Sequence, residues 1–339
     1  MISPLVIPIF IAHEGCPHRC LFCDQRAISG AGGEAVGPAQ VVETVRLWLS
    51  RPRRHGGAPV EVAFYGGSFT MLPRSRQEEL LAAVQPFLRA GQVGGIRLST
   101  RPDAIDDGIA DFLRRHRVSM VELGAQSLSD SVLAGSRRGH TAAQVGEAVA
   151  CLRRAGLRVG LQLMLGLPGD STRRARASAE AAAALRPDLV RLYPTLVIEG
   201  SPLSALYRQG RYAPLSLHKA VALAGRMWRI FASCDIPVAR MGLQPSASLD
   251  ASLLAGPHHP AFGELVLSRQ LFNAARRCLC ARERGKPHRL AIASADHSIF
   301  RGQRGIGMKR LAALGLLDGV DVVFSDCQQR MTVELSLAE

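Results

Sequence analysis

The sequence predicts an α/β fold built on a parallel sheet, followed by a small C-terminal α+β domain. Two observations favour this class. Short apolar segments rich in β-branched residues alternate with amphipathic segments up to about residue 245, which is typical of right-handed β–α crossovers. The strand segments are apolar on both faces, as expected for a sheet that helices cover. After residue 245 the pattern changes, so we expect a second unit there.

Seven strands and six helices are predicted in the first domain. The strand segments are LVIPIFIAH (5–13), VEVAFYGG (60–67), IRLSTR (96–101), SMVELGAQS (119–127), RVGLQLMLG (158–166), LVRLYPTLV (189–197) and IPVARMGLQ (236–244). The helical segments are 38–50, 74–90, 106–116, 141–155, 171–184 and 216–233. Several strands end in small or polar residues. Because the carboxyl ends of parallel strands share one rim, where α/β folds build their sites, we expect these ends to form a site.

The expected domain boundaries follow from composition. Residues 1–245 form the α/β domain, 246–260 form a linker rich in Pro, Gly, Ser and His, and 261–339 form the small domain. A chain of 339 residues is long enough for this arrangement.

Charge and cysteine content narrow the function class. The formal net charge of +14 indicates an anionic partner such as nucleic acid. The strong preference for arginine over lysine is also typical of a GC-rich genome, so charge alone decides nothing. No apolar segment has the length of a membrane span, and the first one lacks the features of a signal peptide. Eight scattered cysteines predict a reducing, cytoplasmic setting rather than a disulfide framework.

Three cysteines follow the first strand in HEGCPHRCLFCDQ, with the spacing C-x3-C-x2-C: Cys16, Cys20 and Cys23. Thiolates bind zinc or iron–sulfur clusters. A structural zinc site would need a fourth ligand, which His13 or His18 could supply. A [4Fe–4S] cluster with three protein ligands leaves one iron open to a substrate or cofactor. Three ordinary loop cysteines are the remaining interpretation.

The cysteine spacing, with Phe22 before the last cysteine, resembles the signature of radical S-adenosylmethionine (radical SAM) enzymes. This resemblance implies a partial (β/α)6 TIM-like barrel, a [4Fe–4S] cluster held by the three cysteines, and S-adenosylmethionine cleaved reductively to a 5′-deoxyadenosyl radical. It implies an electron donor such as a flavodoxin or ferredoxin. It also implies that Gly66 and Gly67, after the second strand, meet the amino group of the methionine moiety.

Four further segments are similar to the radical SAM domain of the elongator catalytic subunit family, which modifies wobble uridine in tRNA: STRPD (99–103), VELGAQS (121–127), RRGHT (137–141) and VRLYPTLVIEGSPLSALYRQGRY (190–212). The similarity covers roughly residues 8–245. Two features depart from that family. Its first two cysteines are farther apart, and its acetyltransferase domain has no recognisable counterpart in this sequence.

Polar side chains at the strand ends are the remaining candidates for cofactor contact. Arg138 is the candidate for the methionine carboxylate, because a guanidinium can bind a carboxylate bidentately; a surface arginine is the alternative. The other candidates, which could equally be structural, are Ser99, Arg101, Gln126, Gln162 and Tyr193.

The C-terminal segment IFRGQRGIGMKRLAALG contains G-x-x-G at Gly302 and Gly305. It is similar to a KH domain, in which a GxxG loop clamps a nucleic-acid backbone before a helix. We expect Arg304 and Lys309 to contact RNA together with the two glycines. A small cap that closes the barrel is the alternative.

The sequence thus predicts a radical SAM enzyme, a transferase or oxidoreductase, that modifies RNA and most specifically a tRNA uridine. Two alternatives stay open. One is a radical SAM enzyme acting on a small molecule or protein, and the other is an RNA-binding protein with a structural or redox-sensing iron–sulfur cluster.

Overall fold

The structure is a computed structural model that describes residues 4–11, 14–16, 20–24, 35–52, 57–283 and 285–338. A seven-stranded sheet comprises β1 (Leu5–Phe10), β2 (Val60–Tyr65), β3 (Gly95–Thr100), β4 (Val118–Gln126), β5 (Arg158–Leu165), β6 (Leu189–Pro194) and β8 (Val238–Met241). The strands lie in that order and each pair of neighbours is parallel. The sheet curls into a half-barrel, which confirms the predicted fold class.

Among the described residues, eight α-helices accompany this half-barrel, of which six contribute to its apolar core and two pack beside residues 20–22. They are α1 (Pro38–Leu49), α2 (Arg74–Arg89), α3 (Asp107–Arg115), α4 (Asp130–Gly135), α5 (Ala142–Arg154), α6 (Thr172–Ala184), α7 (Pro202–Arg208) and α8 (Leu217–Ala232). Four of them begin after a residue whose side chain accepts a hydrogen bond from the backbone N–H three positions on, which satisfies an otherwise unpaired donor. These capping residues are Asp106, Thr141, Ser171 and Ser216. The six predicted helices agree with the structure to within one residue at each end.

The two faces of the large sheet differ in chemistry. On the helix side, residues such as Ile7, Phe64 and Leu161 are fully buried in one apolar core. On the concave side, alternate strand positions bear charged groups, among them Glu61 and Glu122. The expectation that the strands are apolar on both faces was therefore wrong, because only the helix-facing side contributes to the apolar core.

The segment predicted as a linker forms a short helix, α9 (Ala247–Ser252), and a short strand, β9 (Leu253–Ala255). Strand β9 pairs antiparallel with β7 (Val197–Ile198), which follows β6. This part of the chain is thus hydrogen-bonded to the rim of the half-barrel.

A second, three-stranded sheet follows, with β10 (His288–Ala293) at its centre. Strand β11 (Val320–Ser325) is parallel to it and β12 (Val333–Leu337) is antiparallel. Helices α10 (Phe262–Cys280), α11 (His297–Arg301) and α12 (Ile306–Ala313) share a separate apolar core with this sheet. Helix α10 also packs against α8 of the half-barrel. Within the described ranges, none of the helices has the length and apolar character needed to cross a membrane.

Candidate functional site

The cysteine loop follows β1 and is anchored by backbone hydrogen bonds to two later segments. The N–H of Leu21 donates to the carbonyl of Ser136, 3.1 Å away, and the N–H of Leu203 donates to the carbonyl of Leu21 at 2.8 Å. Cys20 is buried, Cys23 is half-buried and Cys16 is exposed. The loop therefore lies against the segments that follow β4 and β7, as expected for a site at the strand ends.

The sulfur atoms do not form a closed metal site by themselves. Among the described residues, no group of three or more His, Cys, Asp or Glu side chains is arranged to hold a metal ion. Desolvation raises the pKa of the Cys16 thiol above its usual value, although the nearby guanidinium of Arg138 acts in the opposite direction. The ligand role of the three cysteines stays a prediction.

The Gly-Gly pair after β2 lies directly against the start of the cysteine loop. A Cβ on Gly67 would lie 2.5 Å from the carbonyl oxygens of both Ile11 and Glu14. The N–H of Ser68 donates to the same Glu14 carbonyl at 3.0 Å. Gly66 has a φ of 90°, a backbone conformation that residues with a side chain rarely adopt. Close backbone packing thus explains Gly67 and backbone conformation explains Gly66, and their contact with a methionine amine stays a prediction.

Replacing Gly67 by alanine is expected to displace the cysteine loop and lower the free energy of unfolding. Overpacking of this kind costs about 1–3 kcal/mol, and here the clashing atoms are backbone carbonyls that cannot rotate away. Urea denaturation of the variant would measure the loss. Gly94→Ala is the matched control, since its nearest contact would be the Val60 carbonyl at an ordinary 3.6 Å. Equal stability of the two variants would contradict the packing argument.

Arg138 is buried and in contact with the cysteine loop, so the alternative of a surface arginine was wrong. Its Nη1 donates to the sulfur of Cys20 at 3.4 Å, and its Nη2 donates to the carbonyl of Gly124 at 2.6 Å. Arg101 donates to the backbone carbonyl of Arg138 at 2.7 Å and forms an ion pair with Asp103. Arg101 therefore supports the loop that contains Arg138.

Three buried polar atoms near Cys20 lack a hydrogen-bond partner in the described part of the chain. They are Ser136 Oγ, Arg138 Nε and His140 Nδ1. Burial, reinforced by the charge of Arg138, lowers the pKa of His140 to about 4, so the imidazole is neutral at physiological pH. Its Nε2 lies 3.2 Å from the carbonyl of Ala125 and must donate to it, which leaves Nδ1 as an acceptor. Buried polar groups are nearly always paired, so an ordered water or a polar ligand is expected to satisfy these atoms.

The other residues predicted to contact the cofactor lie in two parts of the half-barrel, the ends of β4 and β5 and the concave face. Gln162 Nε2 donates to Gln126 Oε1 at 3.2 Å, so the two amides are brought together at the ends of β4 and β5. Burial raises the pKa of the Tyr193 phenol, and the nearby charge of Arg191 acts in the opposite direction. Ser99 lies on β3, in register with Glu122 of β4. Tyr193 is therefore linked to a group of charged residues on the concave face.

This group, which we call the barrel network, comprises Glu61, Tyr65, Arg97, Glu122 and Arg191. The hydroxyl of Tyr65 donates to Glu122 Oε1 at 2.8 Å. Arg191 Nη2 donates to that hydroxyl at 2.9 Å and to the same carboxylate oxygen at 3.1 Å. Arg97 donates to Glu122 at 3.2 Å and also pairs with Glu61. The network thus joins strands β2, β3, β4 and β6.

The barrel network keeps the Glu122 carboxylate ionised despite its burial. Burial alone would raise the pKa of Glu122, but Arg191, the Tyr65 hydroxyl and Arg97 hold that pKa below its usual value. Sequence reasoning missed these residues. The available signal was a charged residue in the middle of several apolar strands, at positions that alternate with the apolar ones.

Comparison with known families adds to this geometry. A family model described as the radical SAM superfamily matches residues 10–182. A second model, described as the radical SAM C-terminal domain, matches residues 187–271. The first match alone covers more than half of the chain.

Individual relatives give a consistent result. The chain is 28% identical to the tRNA uridine(34) acetyltransferase of Dehalococcoides mccartyi over 230 residues, which are 59% of this chain and 50% of that protein. It is 29% identical over 194 residues to elongator complex protein 3 of Saccharomyces cerevisiae, with 51% of this chain and 35% of that protein covered. The chain thus spans half of the first relative and about a third of the second.

One solved structure shares the fold. Elp3 of the archaeon Methanocaldococcus infernus, lacking its N-terminus, superposes with a TM-score of 0.61 over 80% of this chain and 63% of that one, at 21% identity. Together with the sequence relatives, this confirms the resemblance predicted from the sequence.

Proposed function

The chain belongs to the radical SAM superfamily and is an enzyme, and from this premise we propose that it cleaves S-adenosylmethionine reductively to modify a tRNA uridine. The observation that carries the proposal is the cysteine loop at the strand ends, with a buried guanidinium donating to one of its sulfurs. A flavodoxin or ferredoxin is the expected electron donor.

The residues of the loop fit a [4Fe–4S] cluster. Cys16, Cys20 and Cys23 are three soft donors on one short loop, which suits iron–sulfur ligation with one iron left open. The hydrogen bond from Arg138 to the Cys20 sulfur is of the kind that tunes cluster thiolates. His13 and His18, the candidate fourth ligands for zinc, lie outside the described residues.

The surrounding side chains are suited to orient the cofactor and exclude water. When bound, a reduced cluster supplies the electron that splits the sulfonium into methionine and a 5′-deoxyadenosyl radical. Arg138 Nε is the free donor for the methionine carboxylate, and His140 Nδ1 is an acceptor beside it. Apolar residues that include Leu21, Val132 and Leu203 pack around Cys20 and Cys23 and shield that part of the loop from water.

Two observations support RNA as the substrate. A relative named for tRNA uridine modification is 28% identical over more than half of this chain. The net charge of +14 gives the enzyme a strong attraction for polyanions. We therefore propose a uridine in tRNA as the substrate.

Anaerobically reconstituted protein is expected to contain about four iron atoms and equivalent sulfide per chain. With a strong reductant and S-adenosylmethionine it should form 5′-deoxyadenosine, which liquid chromatography and mass spectrometry would detect. Colourless protein with one zinc per chain would contradict the radical chemistry. Nucleoside mass spectrometry of tRNA from cells lacking the protein should show a missing modified uridine. An unchanged nucleoside profile would contradict the RNA substrate alone.

A further inference from the structure

The C-terminal domain contains a β–α–loop–α–β unit formed by β10, α11, residues 302–305, α12 and β11. We call residues 302–305 the GxxG loop. Strands β10 and β11 are parallel neighbours, and both helices pack with α10 into the apolar core on one face of the sheet. The GxxG loop therefore joins two helices at the surface of a domain that has its own core.

The two glycines of the GxxG loop serve different purposes. Gly302, with φ 66° and ψ 173°, adopts a conformation that is essentially restricted to glycine. A Cβ there would also approach Ser268 Oγ at 3.0 Å. Gly305 is left-handed, with φ 71° and ψ 21°, and a Cβ built on it would meet nothing within 4 Å. Gly302 is thus required by the fold, whereas Gly305 leaves open space that another backbone could approach.

Positive charge surrounds this open space. Arg301, Arg304 and Lys309 are exposed, and their side chains form no ion pair or hydrogen bond with another described residue. The guanidinium of Arg310 lies 4.7 Å from the ring centroid of Phe272. The stretch 301–310 contains no acidic residue. Unpaired cations beside an accessible loop backbone form a surface suited to phosphate groups.

The same β–α–loop–α–β unit also contains an edge strand and an aromatic pair. Strand β11 is at the edge of its sheet, so one side of its backbone has no strand partner among the described residues. The rings of His297, on α11, and Phe324, on β11, are 4.3 Å apart at their centroids. Asp321 would not repel a polyanion bound at this surface. Val320, Val322 and Phe324 face the core, so Asp321, which alternates with them, lies on the other face of the sheet. Bases extending from a bound phosphate backbone would meet the exposed ring of His297 and the free backbone groups of β11.

From these observations we propose that the C-terminal domain binds single-stranded RNA. The GxxG loop, with Arg304 and Lys309, receives the phosphates, and the bases lie toward β11, as in KH domains. The choice of RNA over DNA rests on the proposed function. The binding site itself rests on the geometry of this domain.

The test is fluorescence anisotropy of the full-length protein with labelled, unstructured RNA of about ten nucleotides. Arg304→Glu and Gly305→Asp are each expected to raise the Kd about tenfold. Arg304→Glu should also reduce the slope of log Kd against log salt by about one. Arg289→Glu is the matched control, because Arg289 is exposed on the opposite face of the same sheet. Its Kd should change by no more than about twofold.

Three results would overturn the proposal: no binding by the wild-type protein, equal weakening by the control, or tighter binding of DNA of the same sequence. Thermal melting of each variant checks the fold. Gln303→Glu, at another exposed loop position, serves if either variant fails to fold. Binding is measured without reductant or S-adenosylmethionine, so its failure is distinguishable from failure of the radical chemistry.

Discussion

Replacing Cys20 by alanine is expected to abolish cluster assembly and reduce 5′-deoxyadenosine formation to background. Removing an outer-shell partner of a metal site typically costs about 10–100-fold, and loss of a ligand should cost more. Cys20 is buried and accepts a hydrogen bond from Arg138, so a side chain on the surface cannot replace it as a ligand. Iron content, the ultraviolet–visible spectrum and product formation would be measured on anaerobically reconstituted protein.

Cys327→Ala is the matched control for this experiment. Cys327 is exposed and follows β11 in the C-terminal domain, so its removal should leave iron content and product formation unchanged. Cys20→Ala protein that retained a full complement of iron and formed 5′-deoxyadenosine at the wild-type rate would show that the cluster is not held by this loop.

Replacing Glu122 by glutamine is expected to lower the free energy of unfolding by about 3–5 kcal/mol. The change removes the carboxylate that accepts from Tyr65, Arg97 and Arg191, and it leaves the buried Arg97 and the half-buried Arg191 with too little countercharge. Urea denaturation or calorimetry would measure the loss. The effect is large because Glu122 and Arg97 are both buried, and uncompensated buried charge is costly.

Glu199→Gln provides the comparison for an exposed ion pair. Glu199 pairs with Arg208 where both side chains are about half exposed, so its loss should cost about 0–1 kcal/mol. If Glu122→Gln were as mild as this control, the barrel network would not be a source of stability.

The Glu122 effect should also depend on pH. Because the folded state lowers the pKa of Glu122 below its usual 4.5, the ionised carboxylate stabilises the fold fully above that usual value. That stabilisation is lost as the pH falls through the lower, folded-state value. The stability difference between wild type and Glu122→Gln should therefore be constant near neutral pH and shrink on acidification. A difference that grew on acidification would contradict this linkage.

The sequence by itself determined the order of strands and helices and the position of the cysteine loop. Helix boundaries were predictable because capping residues such as Asp106 and Thr141 act within a few positions of the helix they begin. The cysteine spacing was equally local, since all three sulfurs lie within eight residues. The family followed from these short segments and was then confirmed by the matched models.

Only the tertiary structure decided which distant residues meet. Arg138 is 118 positions from Cys20, and Arg191 is 69 positions from Glu122. Curling of the sheet brings β2, β3, β4 and β6 close enough for their concave-face side chains to pair. Periodicity reports only which face of a strand a residue occupies. Whether that face meets helices or encloses a charged interior depends on closure of the half-barrel, which no local pattern in the sequence encodes.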